Sequence, residues 1–396
     1  MIASNRWLIL AVGVLAQTSA SAFVYGIPFL VPTLRDQLGL SLGAVGVIVA
    51  APTLGLLLTL VAWGAVVDRV GERWPMAAGL AITGVVVGTT ALAPPSSLPA
   101  TVGLLVVGGM GAGSVNAASG RLIMGWFPQH ERGIAMGIRQ TAQPLGVAAA
   151  GLVLPTLSVT EGAFTALVWP AAACVVSALL VVVVATDAPR EPREPGAAPP
   201  ASPYRSPTLY RVHAASALLV VPQFAISAFA LEYLVREQGW SPGAGGVFVA
   251  VAQVVGAAGR IGSGWWSDRV GSRMRPMRQL GVASAAVLLV FSLGDATSLG
   301  VVAVAALAAG ALITVADNGL AFVATAELAG TAWSGRALGV QNTTQNIMAT
   351  AAPPVLGSLI GASSYAVGFA VAAALPLAAV VVTPVAAERR EYAVRS

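Results

Sequence analysis

The chain has 396 residues, of which 57% are hydrophobic and 9% charged, whereas a soluble domain carries roughly 25% charged residues. So few charges cannot clothe a water-soluble surface, and apolar runs near the ~20 residues that a bilayer requires recur along the whole chain. The net charge of +5 comes from arginines scattered between those runs, which offers no basic face to nucleic acid, and the lack of any lysine excludes Schiff-base chemistry and a lysine-bearing nucleotide loop.

The first apolar segment follows a single arginine, Arg6, and is too long, without a small-residue cleavage site, for a removable signal peptide. It reads as the first of twelve spans, expected near 7–33, 42–66, 74–93, 101–125, 133–156, 163–185, 208–234, 242–266, 279–294, 299–325, 337–361 and 363–386. The connections are short and marked by breakers such as Ala93-Pro94-Pro95-Ser96 and Gly239-Trp240-Ser241-Pro242. The exception is 187–207, rich in proline and charge, which cannot build a core and reads as a linker between an N-terminal half (1–186) and a C-terminal half (208–396). Cys174, the single cysteine, lies in an apolar run, so an internal disulfide is excluded.

Arginine placement gives an orientation, because cytoplasmic loops hold the excess of cations. With both termini inside, the outer loops hold Arg35 and Arg236, the spans hold Arg121, Arg139 and Arg260, and the other 16 of the 21 arginines are cytoplasmic. The protein is expected in the cytoplasmic membrane as a multi-pass chain, functional as a monomer.

The two halves repeat each other. Gly64, Asp68, Arg69, Gly71 and Arg73 recur as Gly264, Asp268, Arg269, Gly271 and Arg273, each 200 positions later. Gly133, Gly137, Thr141 and Gln143 recur at an offset of 202 as Gly335, Gly339, Thr343 and Gln345; Asn116 pairs likewise with Asn318, and Gln17 aligns with Gln223. Two homologous halves are a common plan for secondary transporters, which hold their substrate near the membrane midplane.

The motif GxxxDRxGxR, present twice at equivalent places, resembles the signature of the major facilitator superfamily, and the resemblance covers essentially the whole chain. It implies an all-α membrane fold of twelve transmembrane helices in two pseudo-symmetric six-helix halves. It also implies that the ten residues of the two motif copies latch the halves in one alternating-access state. Gly64 and Gly264 are expected to allow close helix approach, Gly71 and Gly271 a tight turn, and Asp68 or Asp268 a pairing with a neighbouring arginine. The other reading of these charges is plain anchorage of short loops at the membrane surface. Trp126–Gly133 (WFPQHERG) also looks like a family loop, with Glu131 and Arg132 in a surface ion network. His130 and His213 read as solvated residues, with a proton carrier as the alternative at His130, and Trp63, Trp265 and Trp266 as interfacial anchors ahead of substrate stacking.

An ionisable side chain at membrane depth is costly unless it faces water or a partner, which makes each one a candidate for function. Arg139 lies about two turns into the fifth span with Gln143 one turn further on; its repeat mate is Gln341, with Gln345 one turn beyond. The substrate-binding candidates are therefore Arg139, Arg260, Gln143, Gln17, Gln223, Asn116, Gln341, Gln345, Arg121 and Tyr25. For Arg121 and Arg260 the alternative is structural. An arginine at the place of Arg260 resembles the monocarboxylate and oxalate branches, where it is a carboxylate ligand; the span-eleven lysine of the oxalate branch is absent, and the acidic partner of the monocarboxylate carriers would fall at Gly256. RQTAQPLG, in the fifth span, looks closer to the cyanate and nitroimidazole-resistance branch. Asp317, beside Asn318, is the deepest carboxylate, either a proton carrier or a fixed counter-ion for an arginine; Glu232 is the second proton-coupling candidate, with an interfacial role as its alternative.

No enzyme chemistry, cofactor or metal is expected. The residues point to a secondary transporter of a small organic or inorganic anion, proton-coupled or facilitative, whose partners are that solute, the bilayer and protons. The alternative is a proton-driven multidrug efflux antiporter, to which Pro144-Leu145-Gly146 bears a partial likeness, although such exporters usually place an acid in the first span and here it holds Gln17, Thr18, Ser19 and Tyr25. A transport-dead sensor is a third reading, disfavoured by the short loops.

Overall fold

The computed structural model describes residues 6–127, 135, 138, 139, 141–187, 202–330 and 333–388. Among them every regular element is helical. Helix α1 (Arg6–Val24) is followed by a 3-10 turn at Ile27–Leu30 and the short α2 (Val31–Leu38). The first span expected at 7–33 is thus interrupted at Tyr25-Gly26, because Pro28 and Pro32 cannot continue the hydrogen-bond ladder of a preceding turn. The N-terminal part continues with α3 (Leu42–Val70), α4 (Arg73–Leu92), α5 (Leu98–Trp126), α6 (Ala142–Glu161), the one-turn α7 (Ala163–Ala166) and α8 (Val168–Val184). The C-terminal part holds α9 (Pro207–Arg236), α10 (Pro242–Val270), α11 (Met274–Ala296), α12 (Gly300–Ile313), α13 (Asp317–Ala329), α14 (Ser334–Ala362) and α15 (Tyr365–Val382).

Eleven spans among the described residues are long and apolar enough to cross a membrane, with 300–329 counted as one. Helix α14, at 29 residues, has the length but carries the polar run Gln341–Asn346, which lowers its hydropathy below that of the others. Strongly exposed side chains such as Val61, Leu92, Val301 and Val381, each more than three-quarters accessible, are where lipid chains would lie. Cys174 is fully buried.

The chain divides into two compact units, one made of Met1–Leu40, Val47–Arg193 and Gly239–Val251, the other of Ser41–Gly46, Glu194–Gln238 and Ala252–Ser396. In the first, α4 packs on α5 and α8, and α1 on α5, α6 and α8. Close approach there needs glycine: a Cβ on Gly55 of α3 would fall 1.9 Å from the Val106 carbonyl oxygen, and one on Gly109 of α5 2.0 Å from that of Pro52. Small residues that let backbones touch are how helices associate where lipid removes the hydrophobic drive. Trp63 belongs to the same seam: its indole N–H donates to the Met110 carbonyl at 2.7 Å, so it ties α3 to α5 and is not simply an interfacial anchor. In the second unit α9 packs on α14 and α15, and α11 on α12 and α15, around Val212, Leu219, Met277, Leu320, Ala324 and Ala379.

The repeat extends into the helix ends. Gly39 and Gly239 both take a left-handed conformation (φ 62° and 69°), and two residues later Ser41 and Ser241 each accept an N–H three positions on, at 3.2 Å. These are N-caps in the usual sense, a side-chain oxygen satisfying an orphan donor of the first turn.

Candidate functional site

In the N-terminal unit a chain of side chains leads to a guanidinium. Gln17 on α1 donates through Nε2 to Asn116 Oδ1 on α5 at 3.1 Å, and Ser119, nearly one turn after Asn116, donates to Gln17 Oε1 at 3.2 Å. The Ser119 hydroxyl in turn accepts from Arg139 Nε at 3.0 Å. Gln17 and Ser119 are buried and Arg139 half-buried. Each member is oriented by the next, so the guanidinium is held by a preformed scaffold, a requirement for selective anion binding.

The C-terminal unit repeats the amide pair. Asn318 Nδ2 on α13 donates to Gln223 Oε1 on α9 at 2.8 Å, and Gln345 on α14 donates to Asn318 Oδ1 at 3.1 Å and to Ser216 Oγ at 2.7 Å. One turn earlier on α14, where the repeat mate of Arg139 stands, Gln341 is fully buried and its Oε1 lies 2.5 Å from His213 Nδ1 and 3.5 Å from the Thr325 hydroxyl. His213 Nε2 is 3.1 Å from the Tyr204 hydroxyl, and Tyr204 sits edge-on against Tyr210 and Trp333. Burial, and then the neighbouring Tyr210, holds the Tyr204 hydroxyl above its ordinary range, so it keeps its proton at neutral pH. The expectation that His213 is solvated is corrected: its ring is buried, with 3% exposure.

A third feature is the break between α12 and α13. The α-helix stops at Ile313 and restarts at Asp317, and the Ala316 carbonyl is satisfied across helices by the Ser263 hydroxyl of α10 at 2.6 Å. Non-helical backbone at membrane depth is tolerated where such partners exist, and transporters use broken helices at their sites. Asp317 occupies the first turn of α13 with 2% exposure, at the positive end of a helix dipole. Its Oδ2 has no hydrogen-bond partner among the described residues. Arg260, three residues before Ser263, acts electrostatically on it, so both expected roles of Asp317 stay open. Glu232 is fully buried and lies 3.5 Å from Arg236 one turn on.

The motif copies are not loops, as expected from sequence, but helix ends. Gly64–Val70 continue α3 and Gly264–Val270 continue α10; the chain turns at Gly71 (φ 97°) and Gly271 (φ 61°). Among the described residues a Cβ on Gly64 or Gly264 would meet nothing within 4 Å, so the expected close approach is not seen there. What holds each turn is a carboxylate from the end of that unit's last helix. Asp187 accepts the backbone N–H of Glu72 (2.6 Å) and Arg73 (2.9 Å) at the start of α4. Glu388, 201 positions later, accepts those of Arg273 (2.6 Å) and Met274 (3.2 Å) at the start of α11, and the Ser272 hydroxyl. Gly71 leaves the room Asp187 needs, since a Cβ there would fall 2.4 Å from its Oδ2. Arg73 also donates to the Val182 carbonyl and lies over Trp74, and Arg269 lies over Trp265. Arg273 bonds Ser267 and Asp268 and reaches Glu327 on α13 at 3.1 Å; burial lowers its pKa, but the hydrogen bonds to Glu327 and Asp268 outweigh it, and the net shift is upward. Arg69 is exposed.

Of the substrate candidates, Gln17, Asn116 and Arg139 come together in one unit and Gln223, Gln345 and Gln341 line a second column in the other. Gln143, half-buried in the first turn of α6, has no side-chain bond in that network, and Tyr25 lies beyond the end of α1, two turns from Gln17. The side chains of Asp68 and Arg121 lie outside the described residues, as do His130, Glu131, Arg132, Gly133, Gly137 and most of the linker. Ser119, Ser216, Tyr204, Ser263, Asp187 and Glu388 were missed. The offset of 201 between the last two was a readable signal; a serine in an apolar helix carries none.

The profile of the Major Facilitator Superfamily matches residues 13–353. An uncharacterized MFS-type transporter of Mycobacterium tuberculosis (strain ATCC 25618 / H37Rv) is 44% identical over 96% of this chain and 85% of its own. The hexuronate transporter of Bacillus subtilis (strain 168) is 25% identical over 77% of this chain and 73% of its own. The oxalate:formate antiporter of Oxalobacter formigenes is 32% identical over 36% of this chain and 34% of its own. The fold is also similar to that of a bacterial homolog of the human lysosomal transporter Spinster, solved in an inward-facing and occupied conformation, with a TM-score of 0.76 at 16% identity over 100% of this chain and 98% of that one. A transporter and not an enzyme, this multi-pass membrane protein belongs to the Major Facilitator Superfamily.

Proposed function

We propose that the protein is an alternating-access secondary transporter of a small carboxylate, with twelve spans, both termini in the cytoplasm, and a proton as coupling ion. The observation that carries this reading is the oriented Arg139 guanidinium within an apolar helix bundle, reached through Asn116, Gln17 and Ser119. A guanidinium is a planar donor fork matched to a carboxylate, and a cation held at membrane depth is a substrate or ion ligand by default. Two relatives named for hexuronate and for oxalate and formate support the same chemistry. The two-fold repeat, with an amide pair at equivalent places, supports a carrier built from two halves.

Within this reading Gln17, Asn116, Gln143 and Tyr25 line the N-terminal half and Gln223, Gln341, Gln345 and Arg260 the C-terminal half. Asp317, buried at a helix break, is the proton carrier, ahead of Glu232, which lies one turn from Arg236 within a continuous helix. The two motif copies, closed by Asp187 and Glu388, act as the conformational latch. The test is counterflow of labelled glucuronate and oxalate in proteoliposomes, with and without a proton gradient. Saturable flux that disappears in Arg139→Ala supports the reading; flux unchanged in that variant, or extrusion of cationic drugs in place of anion uptake, overturns it.

A further inference from the structure

The repeat places Gln341 where the N-terminal half has Arg139, 202 positions earlier. One half therefore holds a permanent cation at this position and the other a neutral amide. That amide is bonded to the imidazole of His213, a group that can acquire a charge near neutral pH.

We propose that His213 is a proton-binding site fed through Tyr204, and that its protonation supplies the C-terminal half with the positive charge that Arg139 gives the N-terminal half permanently. The geometry prepares both protonation states. Gln341 Oε1 lies 2.5 Å from Nδ1, a pairing that calls for a neutral ring with its proton on Nδ1 and leaves Nε2 as acceptor for the Tyr204 hydroxyl. On protonation the Tyr204 O–H proton passes to Nε2, an N–H bond forms, and the phenol oxygen takes a replacement proton from water. The net change is one proton on the ring. Nε2–H then donates to the Tyr204 oxygen, whose own hydrogen turns aside, and both ring donors remain satisfied.

The surroundings fit a switch more than a relay. Gln341 accepts but does not carry protons onward, so the charge is stored on the ring. Among the described residues, Tyr204 from the preceding 3-10 turn at Pro203–Arg205 and Gln341 from α14 bond the ring, and Thr325 from α13 reaches it through Gln341. Tyr210 reaches it through Tyr204, and Arg336 lies one ring further away, over Trp333. Arg211, two residues before His213, is turned to the carbonyls of Val381 and Val382. Tyr204 lies at the end of the linker segment and is half-buried, the side from which a proton would reach the ring. Gln341 stands one turn before Gln345, and so beside the Ser216–Gln345–Asn318–Gln223 column. The chemistry that would sense such a charge is an anion.

The chain has two histidines, His130 and His213, so one ring can be followed alone. Full-length His130→Asn protein, labelled with 15N-histidine and held in nanodiscs, should show a neutral ring protonated on Nδ1 at about pH 9 and a single titration between about pH 5 and 8. Tyr204→Phe removes the acceptor of the charged form and should lower the midpoint. A ring that stays neutral to about pH 4.5, a neutral tautomer protonated on Nε2, or a midpoint unmoved by Tyr204→Phe overturns the proposal. The link to anions rests on the carboxylate reading above and is measured separately: His213→Asn should abolish the pH dependence of glucuronate uptake, and a retained dependence overturns that step. If the unmodified protein takes up neither glucuronate nor oxalate, the carboxylate reading falls, while the ring titration still decides the proton site.

Discussion

The two halves share their amide pair and their helix-end carboxylates, and they differ in charge. Gln17 pairs with Asn116 and Gln223 with Asn318 between the first and fourth spans of each half, the glutamine donating in the first pair and the asparagine in the second. One turn away in register the N-terminal half carries Arg139 through Ser119, and the C-terminal half carries Gln341 with His213. Duplication kept the polar cross-links that any pair of packed helices needs. The charged position, which a substrate would read, is where the copies diverged. A permanent cation in one half and a titratable one in the other would let a carrier bind an anion with a force that depends on pH.

The largest effect expected from breaking this asymmetry is at Arg139. Arg139→Ala should weaken carboxylate binding by about 2–5 kcal/mol, the range for truncating one member of a buried hydrogen-bonded charge pair, or at least about 30-fold in Kd. The paired change Gln341→Ala should cost far less at pH 8, where His213 is neutral. Thermal stabilisation by glucuronate, measured for both variants, checks the ratio. Equal losses in the two variants would mean that the halves do not divide the work.

The next effect concerns the helix-end carboxylates. Asp187→Ala leaves two backbone N–H groups of α4 without their acceptor, and Glu388→Ala does the same for α11 and also strips Ser272. Loss of an N-cap costs on the order of 1 kcal/mol, and the buried Glu388 should cost more than the exposed Asp187 because water cannot replace it. Gly71→Ala should be worse than Gly271→Ala: both positions strain a Cβ at positive φ, but only at Gly71 would it also strike the capping carboxylate. Thermal unfolding midpoints in a fixed detergent order these four variants; a Gly271→Ala protein less stable than Gly71→Ala would contradict the cap geometry.

The apolar spans and the amide residues were legible because they are periodic or repeated: apolar runs of bilayer length, Gln17 against Gln223, Asn116 against Asn318. The helix break at Asp317 was not, since Thr314-Val315-Ala316 contains no proline or glycine and interrupts an otherwise apolar run. His213 looked like a residue at a span end, and the Tyr204 and Gln341 side chains that lie against it come from other elements. Gly64 and Gly264 read as packing glycines because motif glycines suggest close approach, whereas a Cβ at either would meet no described atom within 4 Å. Ser119, the link that orients Arg139, is indistinguishable by type from Ser114 or Ser177 along the same apolar helices. A hydrogen-bond partner in a membrane helix is set by rotation about the helix axis, and residue type alone does not report it.

The smallest effect should come from the shared part. Gln17→Leu and Gln223→Leu each remove one interhelical amide bond, and such bonds in membrane proteins average about 0.6 kcal/mol, because the alternative states also find partners. The two losses in stability should therefore be small and similar. Their consequences for transport should differ. In the N-terminal half Gln17 also accepts from Ser119 and so steadies Arg139, whereas in the C-terminal half Gln345 keeps Asn318 in place through a separate bond. Gln17→Leu should thus raise KM for the anion several-fold more than Gln223→Leu at equal unfolding temperature. Identical KM values for the two variants would show that the scaffold around Arg139 does not set its orientation.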